Sequence, residues 1–367
     1  MALPPYLTII KLNNGMTRKH ILWALSIMAL PALVVGCSSE ECSPTTGPRH
    51  GAAIVPMATV STSQPTSRGL SGPVSDSKFP KDTRDVFAVT DYLGDAAPGK
   101  DYDVAYFHNQ AVSSDSKSDA SFNTPQYYPM AGKLYFYAYS PVMPEAADLP
   151  SADGYRKGSG DTMPTVTFDI SQGNTDILWA ADATGIERAG KGEPQPQPKL
   201  KFDHRLQQLR FKLTKGADFP ASWKVGTITV KGNPKDAGDD ANKLKEKAVL
   251  NLINGTVTYS SNVDDFSYKM DNPSLWDVDS KVLDRCLLVR PIQRLSLTFM
   301  VDTDPANPGQ HTRTYSADVT LGKTQTDIGG RNYLLTVTLG GGIDVKIKVM
   351  EENGWNSCTL DPQKIGK

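Results

Sequence analysis

Cysteine and histidine are scarce in this chain of 367 residues, and each shortage closes a class of function. Cys37, Cys42, Cys286 and Cys358 are too few for a disulfide scaffold, and no pair has CxxC spacing. Cys286 and Cys358 can pair in an oxidising compartment or stay as buried thiols, and the sequence leaves both open. No two of His20, His50, His108, His204 and His311 stand at metal-ligand spacing, so no metal is expected. His204 lies beside a predicted strand and reads as a packed or capping histidine. Net charge is also missing: 39 Lys and Arg oppose 40 Asp and Glu. No overall field therefore draws the chain to nucleic acid or to an anionic membrane surface. No GxSxG, GxGxxG or GxxxxGK[ST] occurs in a fitting context. Adjacent acids such as Asp264-Asp265 and Glu351-Glu352 point to opposite faces of a strand and make poor acid/base partners. The oxygen-rich run from Asp302 through Asp304 to Asn307 lacks the closing Glu of a calcium loop. The chain is read as no enzyme, with no cofactor.

Long apolar runs are missing too, with one exception. Arg18-Lys19 precede Ile21 to Val35, an almost wholly apolar stretch that ends at Gly36-Cys37. A basic start, an apolar run and a small residue at the cut are the parts of a secretory signal, and the run is short for a membrane span. Val34-Val35-Gly36-Cys37 resembles a bacterial lipobox, in which the cysteine becomes the first residue and carries the lipids. Acyl chains contribute ~0.8 kcal/mol per buried CH₂, so several of them hold a soluble domain to a membrane. Residues 1–36 are read as the signal, with Cys37 as the lipidation site. Met16 stands just before the basic segment and reads as the better start, which leaves residues 1–15 without a role.

What remains is rich in turn formers, with 30 Gly and 26 Pro, and has almost no helical periodicity. Residues 37–78 carry Ser, Thr, Pro and Gly and read as a tether. Within it, the run from Gly51 to Thr62 has a modest β tendency. A strand there is short and easily detached, and Pro56 suits only a sheet edge. From Phe79 onward strands are predicted at Val86–Thr90, Tyr102–Phe107, Leu134–Tyr139, Thr165–Ile170 and Asp176–Ala181. Leu134, Phe136 and Ala138 alternate with Tyr135, Tyr137 and Tyr139, which predicts a strand covered on both faces. Residues 186–200, with Pro194, Pro196 and Pro198 separated by Gln195 and Gln197, read as a linker. They divide a first β-sandwich at 79–200 from a second at 201–367. The second half begins with Leu209, Phe211 and Leu213 alternating with Arg210 and Lys212, and further strands follow to Ile343–Val349. Asp236 to Ala248 suits a short charged helix or a loop. The expected fold is all-β, with β-sandwiches in tandem.

Five stretches then converge on a family. They are the lipobox with its tether, Tyr128-Pro129-x-x-Gly132-Lys133-Leu134-x-Phe136-x-Ala138-Tyr139-x-Pro141, Asp176-Ile-Leu-Trp-Ala, Phe202-x-His204-x-Leu206-x-x-Leu209-x-Phe211, and Tyr333-x-Leu335-x-Val337. Their order resembles the fimbrillin-like proteins of Bacteroides and relatives, which include major and minor fimbrial subunits and anchors. The resemblance implies tandem transthyretin-like sandwiches, export as a palmitate-bearing lipoprotein to the outer membrane and cell surface, and other fimbrial subunits as partners. It implies that an arginine-specific protease removes the lipidated arm with the first strand, and that a neighbour's strand fills the gap by strand addition. The candidate cut lies between Arg68 and Gly69. Ile343, Val345, Ile347 and Val349 then belong either to a donated strand or to an ordinary final strand. Tip members of such a family take a host or bacterial surface ligand, so a lipoprotein that binds a glycan or a host protein is the alternative role.

Overall fold

The computed structural model describes residues 51–60, 79, 81–115, 120–146, 152–263, 265–322, 330–342 and 344–352. Among them are nineteen strands and no α-helix. A 3-10 turn at Asp240–Asn242 stands where a short charged helix was one option, and a strand begins at Lys247.

The first sandwich is built on a seven-stranded sheet. Its members are β1 (Met57–Val60), β2 (Thr83–Gly94), β3 (Ala105–Ser114), β4 (Ala120–Phe122), β5 (Lys133–Ser140), β8 (Leu178–Glu187) and β9 (Lys199–His204). They lie in the order β1-β9-β8-β5-β2-β3-β4. The alternation of β5 sorts its side chains as the pattern predicts. Leu134, Phe136 and Ala138 enter one core with Phe87, Val89, Phe107, Leu200 and Phe202, all from the same sheet and its flanks. Tyr135, Tyr137 and Tyr139 enter a second core, shared with Val166, Phe168, Ala248 and Leu250. Those partners come from a four-stranded layer of β6 (Gly154–Arg156), β7 (Thr165–Asp169), β12 (Lys247–Asn251) and β13 (Val257–Ser260), ordered β13-β12-β7-β6. β5 is covered on both sides, so every position from Leu134 to Ser140 is buried and neither face is left to solvent.

The second sandwich packs two four-stranded sheets on one core. One is β15-β10-β18-β19, from β10 (Gln207–Lys215), β15 (Val282–Val289), β18 (Asn332–Leu339) and β19 (Val345–Glu352). The other is β14-β11-β16-β17, from β11 (Lys224–Gly232), β14 (Ser267–Asp277), β16 (Arg294–Asp302) and β17 (Thr312–Thr320). Leu209, Phe211 and Leu213 face Val225, Ile228, Leu297 and Phe299 across it. The fold is all-β, with sandwiches in tandem.

Hydrogen bonding crosses position 200. β9 straddles it, and β12 pairs with β7 from Lys247↔Asp169 to Asn251↔Thr165. Alternation within a strand is local, whereas sheet membership is set by long-range pairing that the pattern does not carry. Two strands also differ from the sequence pattern for local reasons. β3 begins at Ala105, not Tyr102, and runs on through polar residues to Ser114. Its Asn109 takes a positive φ of 49° where the register with β2 slips. β14 contains Pro273, which hid it. It is an edge strand, where a missing donor is tolerated, and Leu275 turns at φ 58°.

Candidate functional site

The strand with the weakest hold on the fold is β1, and its attachment starts before the strand itself. From Ala52 to Val60 the chain alternates without a break. Ala52, Ile54, Pro56, Ala58 and Val60 turn inward, and Ala53, Val55, Met57 and Thr59 stand exposed. The strap begins on the segment that follows β4: Ile54 N–H donates to Gln126 O at 2.8 Å, and Tyr128 N–H donates to Ala52 O at 2.9 Å. It ends on β9, in four parallel pairs from Met57↔Lys199 to Val60↔Phe202. It thus links the two ends of the seven-stranded sheet and covers the core enclosed between them. Ile54 and Val60 are its two large buried side chains, each contributing about 1.5–3 kcal/mol. Beneath them Phe79, Phe87 and Phe202 form a triad with ring centroids 4.9–5.3 Å apart.

The proline-rich stretch expected as a linker serves as the rail for this strap. Proline has no N–H to donate, but its carbonyl accepts normally. Pro198 O takes the Met57 N–H at 2.8 Å, and Pro196 O takes the Tyr128 hydroxyl at 2.7 Å. Burial, reinforced by the Asp182 carboxyl, pushes the Tyr128 phenol up to about 12. It therefore remains the donor across the physiological range.

β9 is itself tied to β8 by a short ladder, Leu178↔His204 and Trp179↔Asp203. Past that point Asp182 replaces the ladder, its Oδ2 accepting the Lys199 N–H at 2.7 Å. Between the diverging strands lies a cavity of about 480 Å³, with Asp182, Ile186, Pro196 and Lys199 on its walls. The near end of the pair is fixed by His204, whose Nδ1 lies 2.9 Å from Asp176 Oδ1 in a buried contact. His204 is packed, as the sequence suggests. Its partner is 28 residues away, and no spacing rule could have named it.

A buried carboxyl lies in the same sheet. Asp91 Oδ1 accepts the Phe107 N–H at 3.0 Å, and Oδ2 has no hydrogen-bond partner. Burial raises this group well above the usual carboxylate range.

The other expected site residues fall in two groups. Cys37, Arg68, Gly69, Ile343 and Cys358 lie outside the described residues. Val345, Ile347 and Val349 lie on β19, the edge of its sheet, and pack half-buried against the second core. β19 is joined to β18 by eight antiparallel pairs, Asn332↔Glu352 to Leu339↔Val345. Arg210 grips Glu352 at 2.7 Å and Arg331 grips Glu351 at 3.1 Å. Cys286, in β15, is buried and disulfide-bonded. Among the described residues no group of three His, Cys, Asp or Glu could hold a metal ion.

An all-β chain of tandem sandwiches, the first closed by a short parallel edge strand, defines a structural class of protein. The profile of the fimbrillin-like family matches residues 74–351, and the chain belongs to that family. Among solved structures it is similar to a fimbrial protein from Bacteroides vulgatus, with 15% identity and a TM-score of 0.50 over 82% of this chain and 99% of that one. It is also similar to a protein assigned to cell adhesion from Bacteroides uniformis (18% identity, TM-score 0.49, 82% and 98% covered). A third is the fimbrial anchor protein Mfa2 from Porphyromonas gingivalis (10% identity, TM-score 0.34, 83% and 98% covered). No curated protein sequence matches the chain. Family membership associates the protein with cell-surface fimbriae.

Proposed function

We propose that the protein is a structural subunit or anchor of a bacterial surface fimbria, joined to its neighbours by strand addition at the site of β1. The observation that carries this reading is the strap itself. The nine residues from Ala52 to Val60 fill a core through alternate positions, yet they are held by four parallel pairs and one bridge. Arg68 follows Val60 by eight residues and precedes Phe79, so a cut between Arg68 and Gly69 severs the strap from everything it covers. Cys37 lies on the same side of that cut. In a polymerising subunit the lipid arm and the strap leave together, and a neighbour's strand takes the vacated positions. In an anchor the cut does not occur, Cys37 keeps its lipids in the outer membrane, and the strap stays seated.

Of the two roles open to Ile343, Val345, Ile347 and Val349, the eight pairs of β19 favour the final strand, because donation must break all of them. If Cys358 is the disulfide partner of Cys286, it ties the tail to β15, at the opposite edge of that sheet, and so holds the final strand in place. The test is digestion of the lipid-free protein with an arginine-specific protease, followed by intact mass and size exclusion. One cut at Arg68 with growth into ladders is the result for a polymerising subunit. A clean cut at Arg68 that leaves a monomer with the strap bound would sink strand addition at this site.

A further inference from the structure

The strap leaves one group in its core unanswered. Asp91 pairs with Phe107 on β3 and with Phe136 on β5, and both of those rings belong to the core that the strap covers. Cross-strand partners share a face, so the Asp91 carboxyl points into that core. It is fully buried, its Oδ1 takes the Phe107 N–H, and its Oδ2 has no hydrogen-bond partner among the described residues. A buried polar atom left unpaired costs free energy that one hydrogen bond recovers. The nearby tyrosines are already engaged: Tyr106 donates to Tyr127 O at 3.2 Å, and Tyr128 donates to Pro196 O. The strap supplies nothing either, because its inward residues Ala52, Ile54, Pro56, Ala58 and Val60 are all apolar. Of the two small ones, Ala58 lies on the far side of the sheet, beside Leu200 of β9. Ala52 lies on the near side. Its carbonyl holds the Tyr128 N–H, the neighbouring Tyr127 carbonyl holds the Tyr106 hydroxyl, and Tyr106 adjoins Phe107, the partner of Asp91.

We propose that the groove selects its incoming strand by a neutral polar residue, an amide or a hydroxyl, at the position that Ala52 holds in the strap. This rests on strand addition at the site of β1 and names the chemistry of the strand that replaces it. The incoming side chain hydrogen-bonds Asp91 Oδ2, so the replacement makes a contact that the strap lacks and exchange runs in its favour. Burial favours the neutral acid at Asp91, and an amide or hydroxyl both donates and accepts, so it serves either state of the carboxyl. A lysine there must bury its own charge and strip the proton from Asp91 to find a partner. An incoming carboxylate is repelled, and an apolar side chain repeats what the strap omits.

The first arm of the test uses the uncut, lipid-free protein, in which the strap stands in for the incoming strand. Ala52→Asn or Ala52→Ser should slow hydrogen–deuterium exchange of residues 51–60 about tenfold, and Ala52→Lys should not. The gain should vanish in an Asp91→Leu background, or in Asp91→Ala should the leucine variant not fold. In the second arm, peptides of residues 51–60 with Ala, Asn, Ser or Lys at position 52 are added to the chain cut after Arg68, and displacement of the strap is read by native mass spectrometry. The Asn or Ser peptide should compete about tenfold better than the parent peptide. No slowing by either polar substitution, the same gain without the Asp91 carboxyl, or the tightest hold by lysine overturns the proposal. A cut chain that takes up every peptide equally overturns the selection alone. A cut chain that takes up none overturns strand addition, and the selection with it.

Discussion

β1 and β19 are both edge strands with alternating apolar residues, and the fold holds them very differently. β1 lies parallel to β9 through four pairs, its rail is proline-rich, and no ion pair secures it among the described residues. β19 lies antiparallel to β18 through eight pairs, and Arg210 and Arg331 close its far end. The difference teaches that alternation shows where a strand fits, while pairing length and end contacts show whether it stays. A strand built to leave needs buried side chains without a long ladder. β1 meets that requirement and β19 does not.

Several substitutions break or sharpen the contrast. The largest effect is expected beneath the strap, not within it. Phe202→Ala removes a fully buried ring from the triad with Phe79 and Phe87 and should cost about 3–5 kcal/mol in chemical unfolding. Ile54→Ala deletes a side chain that is also buried, yet its cost in global unfolding should stay near 1–2 kcal/mol. The strap can open without the rest, so its own small local stability caps the loss. Equal costs at the two positions would place β1 in the cooperative core.

The buried carboxyls extend the comparison. In the second sandwich Asp302 is buried with both oxygens used, by Asp304 N–H at 2.9 Å and Gly309 N–H at 2.6 Å. Asp91, in the sheet of β1, has one oxygen without a hydrogen bond and a raised pKa. Its folded form keeps a proton that the unfolded chain has lost above about pH 4. Its contribution is therefore fully present below that pH and is lost as pH rises through the folded pKa. Asp91→Asn should flatten this decline and raise stability at neutral pH by about 1–2 kcal/mol, read from unfolding curves at pH 4 and pH 7. The smallest effect belongs to the β19 clasp. Arg331→Ala should cost no more than about 1 kcal/mol, because the Glu351 pair is largely exposed and screened by solvent.

Much of the fold is legible in the residues. The double alternation of β5, the half-buried pattern of β10 and the edge position of a strand after Pro56 all follow from side-chain period and backbone chemistry. Sheet membership is not legible: nothing in Lys247–Asn251 says that it pairs with Thr165–Asp169. β14 is hidden by Pro273, and the part of β3 beyond Phe107 by its run of His, Asn, Gln and Ser. For the candidate site the strap is visible as a pattern, but its rail is not. Pro194 to Pro198 reads as a linker because proline cannot donate, and its accepting carbonyls find partners only once Tyr128 and Met57 are brought beside them.

The most direct test of a detachable first strand is hydrogen–deuterium exchange on the uncut, lipid-free protein, comparing peptides over 51–60 and 345–352. The strap amides that bond to Gln126 O and Pro198 O should exchange roughly a hundredfold faster than those of β19, through local opening that leaves the cores protected. Equal protection of the two segments would contradict a strand held to be released.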